Sequence, residues 1–257
     1  MSKKSSLVGQ TAIVTGAGGD IGRAMVQRLH ARGAFVVAVD RDSRALDKLL
    51  GCSDNTDLLA LEGNVSDEES VRAFTDRALS ETGRIDILCN NAGIEGPVAP
   101  ISDYPLVDFE RVLEVNVVGV FLGMKHVIHC MAARGRGSII NMASTAGLAG
   151  GPNLSAYVAS KHAVIGLTRA AAAECAKLGI CVNGIAPGRV AGRMIAAILA
   201  GQTPENRETR AGGAAAPERD NSPYEVAELA ASLASGEAGY ANGVIYRIDG
   251  GIVSEHV

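Results

Sequence analysis

The chain has 257 residues, 47% hydrophobic and 20% charged, enough to bury the core of one large α/β domain. A formal net charge of -4 gives no basic excess for a nucleic-acid binder, and no uninterrupted apolar run reaches the roughly 18 residues of a membrane span. Met1 to Ser6 carries two lysines with no apolar stretch behind them, so no secretory signal is expected; Cys52, Cys89, Cys130, Cys175 and Cys181 are scattered without CxxC spacing and read as reduced thiols in a cytoplasmic protein.

Short apolar runs alternate with longer amphipathic ones. Strands are expected at Thr11–Thr15, Phe35–Val39, Leu58–Leu61, Ile85–Cys89, Ser138–Met142, Ile180–Ile185 and Gly243–Ile248. They are largely apolar on both faces, as strands sandwiched between helix layers must be. Helical patterns lie between them, among them Asp20–Arg32, Asp67–Thr82, Asp108–Arg134 and Leu154–Lys177. This alternation dictates an α/β fold: a seven-stranded parallel sheet, doubly wound, with helices on both faces and no second domain in residues 1–257.

The first strand runs into Gly16-Ala17-Gly18-Gly19-Asp20-Ile21-Gly22, and a helix follows. Glycines there let the backbone turn tightly against a pyrophosphate, which the helix N-terminus attracts with free N–H groups, as in a Rossmann-type domain. The second strand ends at Asp40, 18 residues past Gly22. A carboxylate in that place accepts hydrogen bonds from both ribose hydroxyls of NAD and repels the extra phosphate of NADP. Arg41 beside it weakens the preference, since a guanidinium receives phosphate; the absence of Lys or Arg in the turn restores it. His126 and His129, three apart on a helix, have no third ligand at a fixed offset, so no metal is expected. Ala191 to Pro223, rich in Gly, Ala, Pro and charge, is too long for a simple connection and reads as a mobile lid, helical around Met194–Leu199; a disordered insertion is the plain alternative.

Further motifs arrive in order. Asn90-Asn91-Ala92-Gly93 follows the fourth strand, Ser144 the fifth, and Tyr157-Val158-Ala159-Ser160-Lys161 begins 13 residues later; Asn183-Gly184-Ile185-Ala186-Pro187-Gly188 and Ile248-Asp249-Gly250-Gly251 close the series. With the glycine turn, this order and spacing resembles the short-chain dehydrogenase/reductase family over nearly the whole chain. The resemblance implies Tyr157 as general acid/base, Lys161 as its partner, Ser144 as ligand of the substrate oxygen, and Asn116 as holder of a proton-relay water. It implies a cofactor channel along Gly16, Gly19, Asp20, Ile21, Gly22, Asp40, Arg41, Asn64, Val65, Asn91, Ala92, Gly93, Tyr157, Lys161, Pro187, Gly188 and Val190. Three positions depart from the family pattern. Asp20 replaces its middle glycine and is a candidate N-cap for the following helix. Asn64 replaces an aspartate at the adenine, and Gly192 a threonine that bonds the nicotinamide carboxamide.

Tyr157 and Lys161 are four apart, so they share a helix face. A free tyrosine with a pKa near 10 is a poor base; the ammonium and a positive nicotinamide are expected to bring it to about 7–8, worth roughly 3–4 kcal/mol. The reading is hydride transfer between NAD and a small, largely apolar secondary alcohol or ketone, open-chain or cyclic. Ile94, Val98, Leu148, Leu154, Met194 and Ile195 border the pocket, and Glu95 and Arg193 either read a polar group or face solvent. Two alternatives stay open: an NADPH-dependent ketoacyl reductase, and a dinucleotide-binding sensor without chemistry. Small residues along Val112–Ala132 and Ala156–Ala176 favour close helix contact between subunits, and the resemblance implies a homotetramer.

Overall fold

The computed structural model describes residues 6–50, 57–202, 219–236 and 239–251. Cys52 and residues 203–218 of the expected lid lie outside them. The seven strands are β1 Thr11–Thr15, β2 Phe35–Asp40, β3 Leu58–Glu62, β4 Ile87–Asn90, β5 Gly137–Met142, β6 Ile180–Pro187 and β7 Ile245–Ile248, all parallel, in the order β3-β2-β1-β4-β5-β6-β7. Every residue of β1 and β4 is buried, as strands covered on both faces require.

Helices α1 Asp20–Ala31, α2 Ser43–Leu50 and α8 Pro223–Ala234 lie with one core that includes Met25, Leu29, Leu46 and Ala230. Helices α3 Glu68–Thr82, α5 Gly119–Ala132 and α6 Ser155–Cys175 line the other, around Phe74, Val127, Met131 and Ile165, and α4 Leu106–Leu113 packs on α6. The short α7, Arg193–Gly201, stands apart at the C-terminal edge of the sheet. The expected long helix after Asp108 begins earlier and is not uniform. A π turn, Glu114–Val118, joins α4 to α5 within one 27-residue helix, Leu106–Ala132. By length and mean hydropathy (1.4 over its best window) this helix is apolar enough to cross a membrane, which a search for uninterrupted apolar runs overlooks. It packs against α3, α6, β4 and β5, so its apolarity serves the core. His126 on α5 reaches Glu68 of α3 at 3.2 Å.

A polar chain runs through this second core beneath the site. Asn90 Nδ2 donates to Asn141 Oδ1 (2.9 Å), Asn141 Nδ2 donates to Thr168 Oγ1 (3.0 Å), and Thr168 Oγ1 donates to the Val164 carbonyl (2.7 Å). It ties β4 and β5 to α6, the helix that carries Tyr157 and Lys161. At the opposite rim, the chain leaving β6 is held by its own return: Ala191 N–H donates to the Asn221 carbonyl (2.9 Å) and Asn221 N–H to the Arg189 carbonyl (2.8 Å). Arg189 and Asp220 add an ion pair at 2.7 Å.

Replacing Asn141 by Ala leaves Asn90 and Thr168 without their buried partner and is expected to cost about 2–3 kcal/mol. Urea unfolding followed by circular dichroism checks this; a loss below about 1 kcal/mol would show that the chain is not a tie.

Candidate active site

The turn after β1 is built around two loops that nearly touch. Gly16 takes φ +65, and a methyl group there would lie 2.7 Å from Ala92 Cα. Thr15 Oγ1 accepts the N–H groups of Asn91 (3.1 Å) and Ala92 (3.2 Å), while Asn91 Nδ2 donates to the carbonyls of Thr15 (3.0 Å) and Gly16 (3.1 Å). At Gly22 a methyl would lie 2.8 Å from the Gly16 carbonyl carbon, so α1 starts hard against the turn. Gly19 caps α1 without a side-chain hydrogen bond. The first N–H groups of the helix are thus left for an anion in the adjoining cavity.

Asp40 closes β2 with both oxygens engaged by backbone: Oδ2 accepts from Gly18 (2.9 Å) and Oδ1 from Asp42 (3.0 Å). A side chain at Gly18 would meet Ala45 Cβ at 2.5 Å and crowd the Asp40 carboxylate, so the turn brings no other group to it. Arg41 is exposed on the same cavity wall. Asn64 Oδ1 accepts from Ser66 N (3.1 Å) and Oγ (2.8 Å). The amide oxygen expected for an adenine is therefore already engaged in its own loop. Val65 is buried against Gly119.

Ser144 leaves β5 and caps a short 3-10 turn, Thr145–Gly147, its Oγ accepting from Ala146 N–H at 3.1 Å. Tyr157 and Lys161 lie one helical turn apart on α6. Lys161 Nζ donates to the Met142 carbonyl at 2.8 Å and stands 5.5 Å from the centre of the Tyr157 ring. The Tyr157 hydroxyl reaches Met194 Sδ on α7 at 3.8 Å. Burial pushes the Tyr157 pKa up, a hydrogen bond from Ser144 pulls it down, and the Glu95 charge pushes it up again. Burial pulls Lys161 down to about 8. The expected lowering of Tyr157 therefore does not come from this chain alone: desolvation outweighs the hydrogen bond, and the two buried groups each disfavour their charged form.

Asn116 sits in the π turn, fully buried, and is absent from the cavity wall. Its Oδ1 accepts from Ile94 N–H (2.8 Å); its Nδ2 donates to the Ile94 carbonyl (2.9 Å) and to Ser160 Oγ (3.0 Å). Its side-chain amide thus clamps the loop after Gly93 to α6. The extra residue of a π turn is what swings the amide inward at that level. Asp20 corrects an expectation of the sequence reading. It is the first residue of α1 and not its cap, and its Oδ2 accepts the N–H of Arg193 at 2.8 Å.

Apart from Asn116, these groups border one cavity of about 1030 Å³. Every residue assigned to the cofactor lines it, from Gly16, Gly19, Asp20, Ile21, Gly22, Asp40 and Arg41 through Asn64, Val65, Asn91, Ala92 and Gly93 to Pro187, Gly188 and Val190. Ser144, Tyr157 and Lys161 lie on its wall too. Arg193, Met194, Ile195 and Ile198 of α7 roof it, and Gly201 packs on Val98. The α1 terminus with no side-chain cap, the glycine-rich turn and the Asp40 carboxylate suit a phosphate, a close backbone approach and a ribose in that order, so a dinucleotide fits. Two residues escaped the sequence reading. Thr15 looks like any strand residue, and its hydroxyl becomes the anchor of Asn91 only because β1 and β4 are neighbours. Asn90, next to Asn91 in the motif, points into the core.

Residues 10–203 match the sequence profile of the short chain dehydrogenase family. The chain is 36% identical to levodione reductase of Leifsonia aquatica over 94% of this chain and 93% of that one. It is 40% identical to cis-4-hydroxycyclohexanecarboxylate dehydrogenase of Sinomonas cyclohexanicum over 94% and 96%. Among solved structures, levodione reductase superposes with a TM-score of 0.88 over 95% of this chain and 97% of that one. A 3-ketoacyl-(acyl-carrier-protein) reductase from Brucella melitensis complexed with NADH follows at 0.86, with 33% identity over 96% and 99%.

Because burial sets the Lys161 pKa near 8, below its unfolded value of 10.5, folding disfavours the ammonium. That penalty is fully present below about pH 8 and is relieved as pH rises toward 10.5. Lys161→Met removes it, so at pH 7 the variant without ligand should be more stable by about 2 kcal/mol, net of the lost Met142 bond. The two proteins should converge by about pH 10. Urea midpoints across pH test this, and a variant less stable than wild type at pH 7 would overturn it.

Proposed function

The chain belongs to the short chain dehydrogenase family, and on that premise we propose that it transfers a hydride between NAD and a small secondary alcohol or ketone, most suitably a cyclic one. The observation that carries this is the meeting of Ser144, Tyr157 and Lys161 at one end of a cavity whose other end is the glycine turn and Asp40. NAD supplies the hydride acceptor. The chain's own residues bind, orient and move the proton. Ser144 Oγ and the Tyr157 hydroxyl hold the substrate oxygen between them. Tyr157 takes the hydroxyl proton on oxidation and returns it on reduction. Lys161 is held by the Met142 carbonyl; burial alone sets its pKa near 8, and a phenolate beside it favours the ammonium. Tyr157, buried as it is, would ionise more readily beside a second positive charge, which a bound cationic nicotinamide would supply.

Asp40 supports NAD over NADP. It ends β2 with its carboxylate fixed by two backbone N–H groups, so it faces the ribose site with its negative charge in place. Exposed Arg41 is the feature that favours the NADP alternative. The roof residues Met194, Ile195 and Ile198, with Leu154 and Ile94, give a mostly apolar substrate end. The cyclic substrates in the names of two relatives, levodione and hydroxycyclohexanecarboxylate, support a ring of that size.

Assembly is read from the outer face of α6. Ala159, Gly166, Ala170 and Ala173 are exposed there, and Val118 and Phe121 are 41% and 48% exposed on the helix beside it. Small residues flanked by exposed apolar ones suit close helix packing between subunits, and this favours a homotetramer.

With purified protein and a panel of cyclic secondary alcohols at pH 8–9, turnover is expected with NAD⁺. Tyr157→Phe should lower kcat by about 100-fold or more. Oxidation should gain rate as pH rises, because the proton must leave Tyr157. Turnover with NADP⁺ alone would overturn the Asp40 reading, and NADH binding with no turnover and no effect of Tyr157→Phe would favour the sensor. For assembly, light scattering should give four times the 26.4 kDa chain mass, and Gly166→Glu should reduce it; a monomeric wild type refutes the tetramer.

A further inference from the structure

The first residue of α1 and the first residue of the roof helix meet across the cavity mouth. Helix α7 begins at Arg193 after Gly192, which offers no side-chain cap of its own. The cap comes instead from a residue far away in sequence: Asp20 Oδ2 accepts the Arg193 N–H at 2.8 Å. Gly192 makes room for it. A methyl group on Gly192 would lie 2.7 Å from Asp20 Cγ and closer still to Oδ2. At φ +151 and ψ -170 the backbone there also suits glycine and few others. The Arg193 side chain reaches Glu95 Oε1 at 3.4 Å on the far side, so one residue ties the roof to both walls.

We infer that Asp20 is a positioning residue that holds the roof helix α7 by its first N–H, with Gly192 kept free of a side chain to admit it. We further infer that its charge opposes the pyrophosphate at the same α1 terminus. The second half rests on the cofactor reading above; the first does not. The carboxylate sits where the positive ends of two helices converge, which stabilises it and the roof together. An anion binding at the α1 terminus must share that field with a charge already present. Asp20 and Gly192 are thus one geometric unit. A glycine at 20 leaves α7 uncapped, and a threonine at 192 collides with an aspartate at 20.

Asparagine at position 20 keeps an oxygen for the Arg193 N–H and drops the charge; alanine drops both. Amide exchange of α7, measured without cofactor, should rise about tenfold or more in Asp20→Ala and stay near wild type in Asp20→Asn. Gly192→Ala should raise it in both backgrounds through backbone strain, and by more where the Asp20 carboxylate is present to collide with the new methyl. NADH titration should give a Kd about tenfold lower for Asp20→Asn than for wild type. Unchanged exchange in Asp20→Ala overturns the tether, and equal or weaker NADH binding in Asp20→Asn overturns the charge opposition. A wild-type protein that binds no NADH refutes the cofactor reading and the charge half with it, while the exchange rates still decide the tether.

Discussion

Between β1 and β4 the connections leave the sheet on opposite sides, and the crevice this opens is where the chain brings its two most demanding loops to within van der Waals contact. The strand order places these two strands side by side. Thr15 and Asn91 then fasten one loop to the other with four hydrogen bonds. Gly16 has to be glycine because Ala92 passes within a methyl's reach. With that crossing fixed, the α1 terminus, the end of β2 and the start of the Gly93 loop all face one space. Asn116 extends the same bracing by gripping the backbone of Ile94 and, through Ser160, the helix that carries Tyr157.

The site opposes its own stability. Tyr157 and Lys161 are almost wholly buried, and burial disfavours the charged form of each. A core designed only to be stable would place leucine or methionine there. The protein keeps these groups at the dry end of a cavity and surrounds them with structure that does not yield: the Asn90–Asn141–Thr168 chain below, the Met142 carbonyl beside Lys161, the π turn behind. Such a site holds its polar groups poised toward their neutral forms.

The fold was readable because parallel strands buried on both faces write themselves as apolar runs, and all seven stand within a few residues of where those runs lie. The residues around the cavity were readable because spacing on α6 and the glycine turn survive as local patterns. What was not readable depends on neighbours distant in sequence. The role of Thr15 needs β4 beside it. The inward turn of Asn116 needs one extra residue in a helix, which hydropathy does not record. Asp20 looked like a cap for the helix it begins, and only the return of the chain 173 residues later shows which helix it caps. The direction of the Tyr157 shift depended on how dry its surroundings are, a property of packing that no motif carries.

The paired backbone bonds between residues 189–191 and Asn221 fix the two ends of the stretch between them against each other. Loop length is cheap to change once the ends are fixed, because closure entropy grows only with the logarithm of length. Descendants of this sequence can therefore change the length of chain between the tethered start of α7 and Asp220 with little penalty to the strands below. The roof over the substrate end can then be rewritten in evolution while the dinucleotide end is inherited intact, and new alcohols are reached by editing one loop.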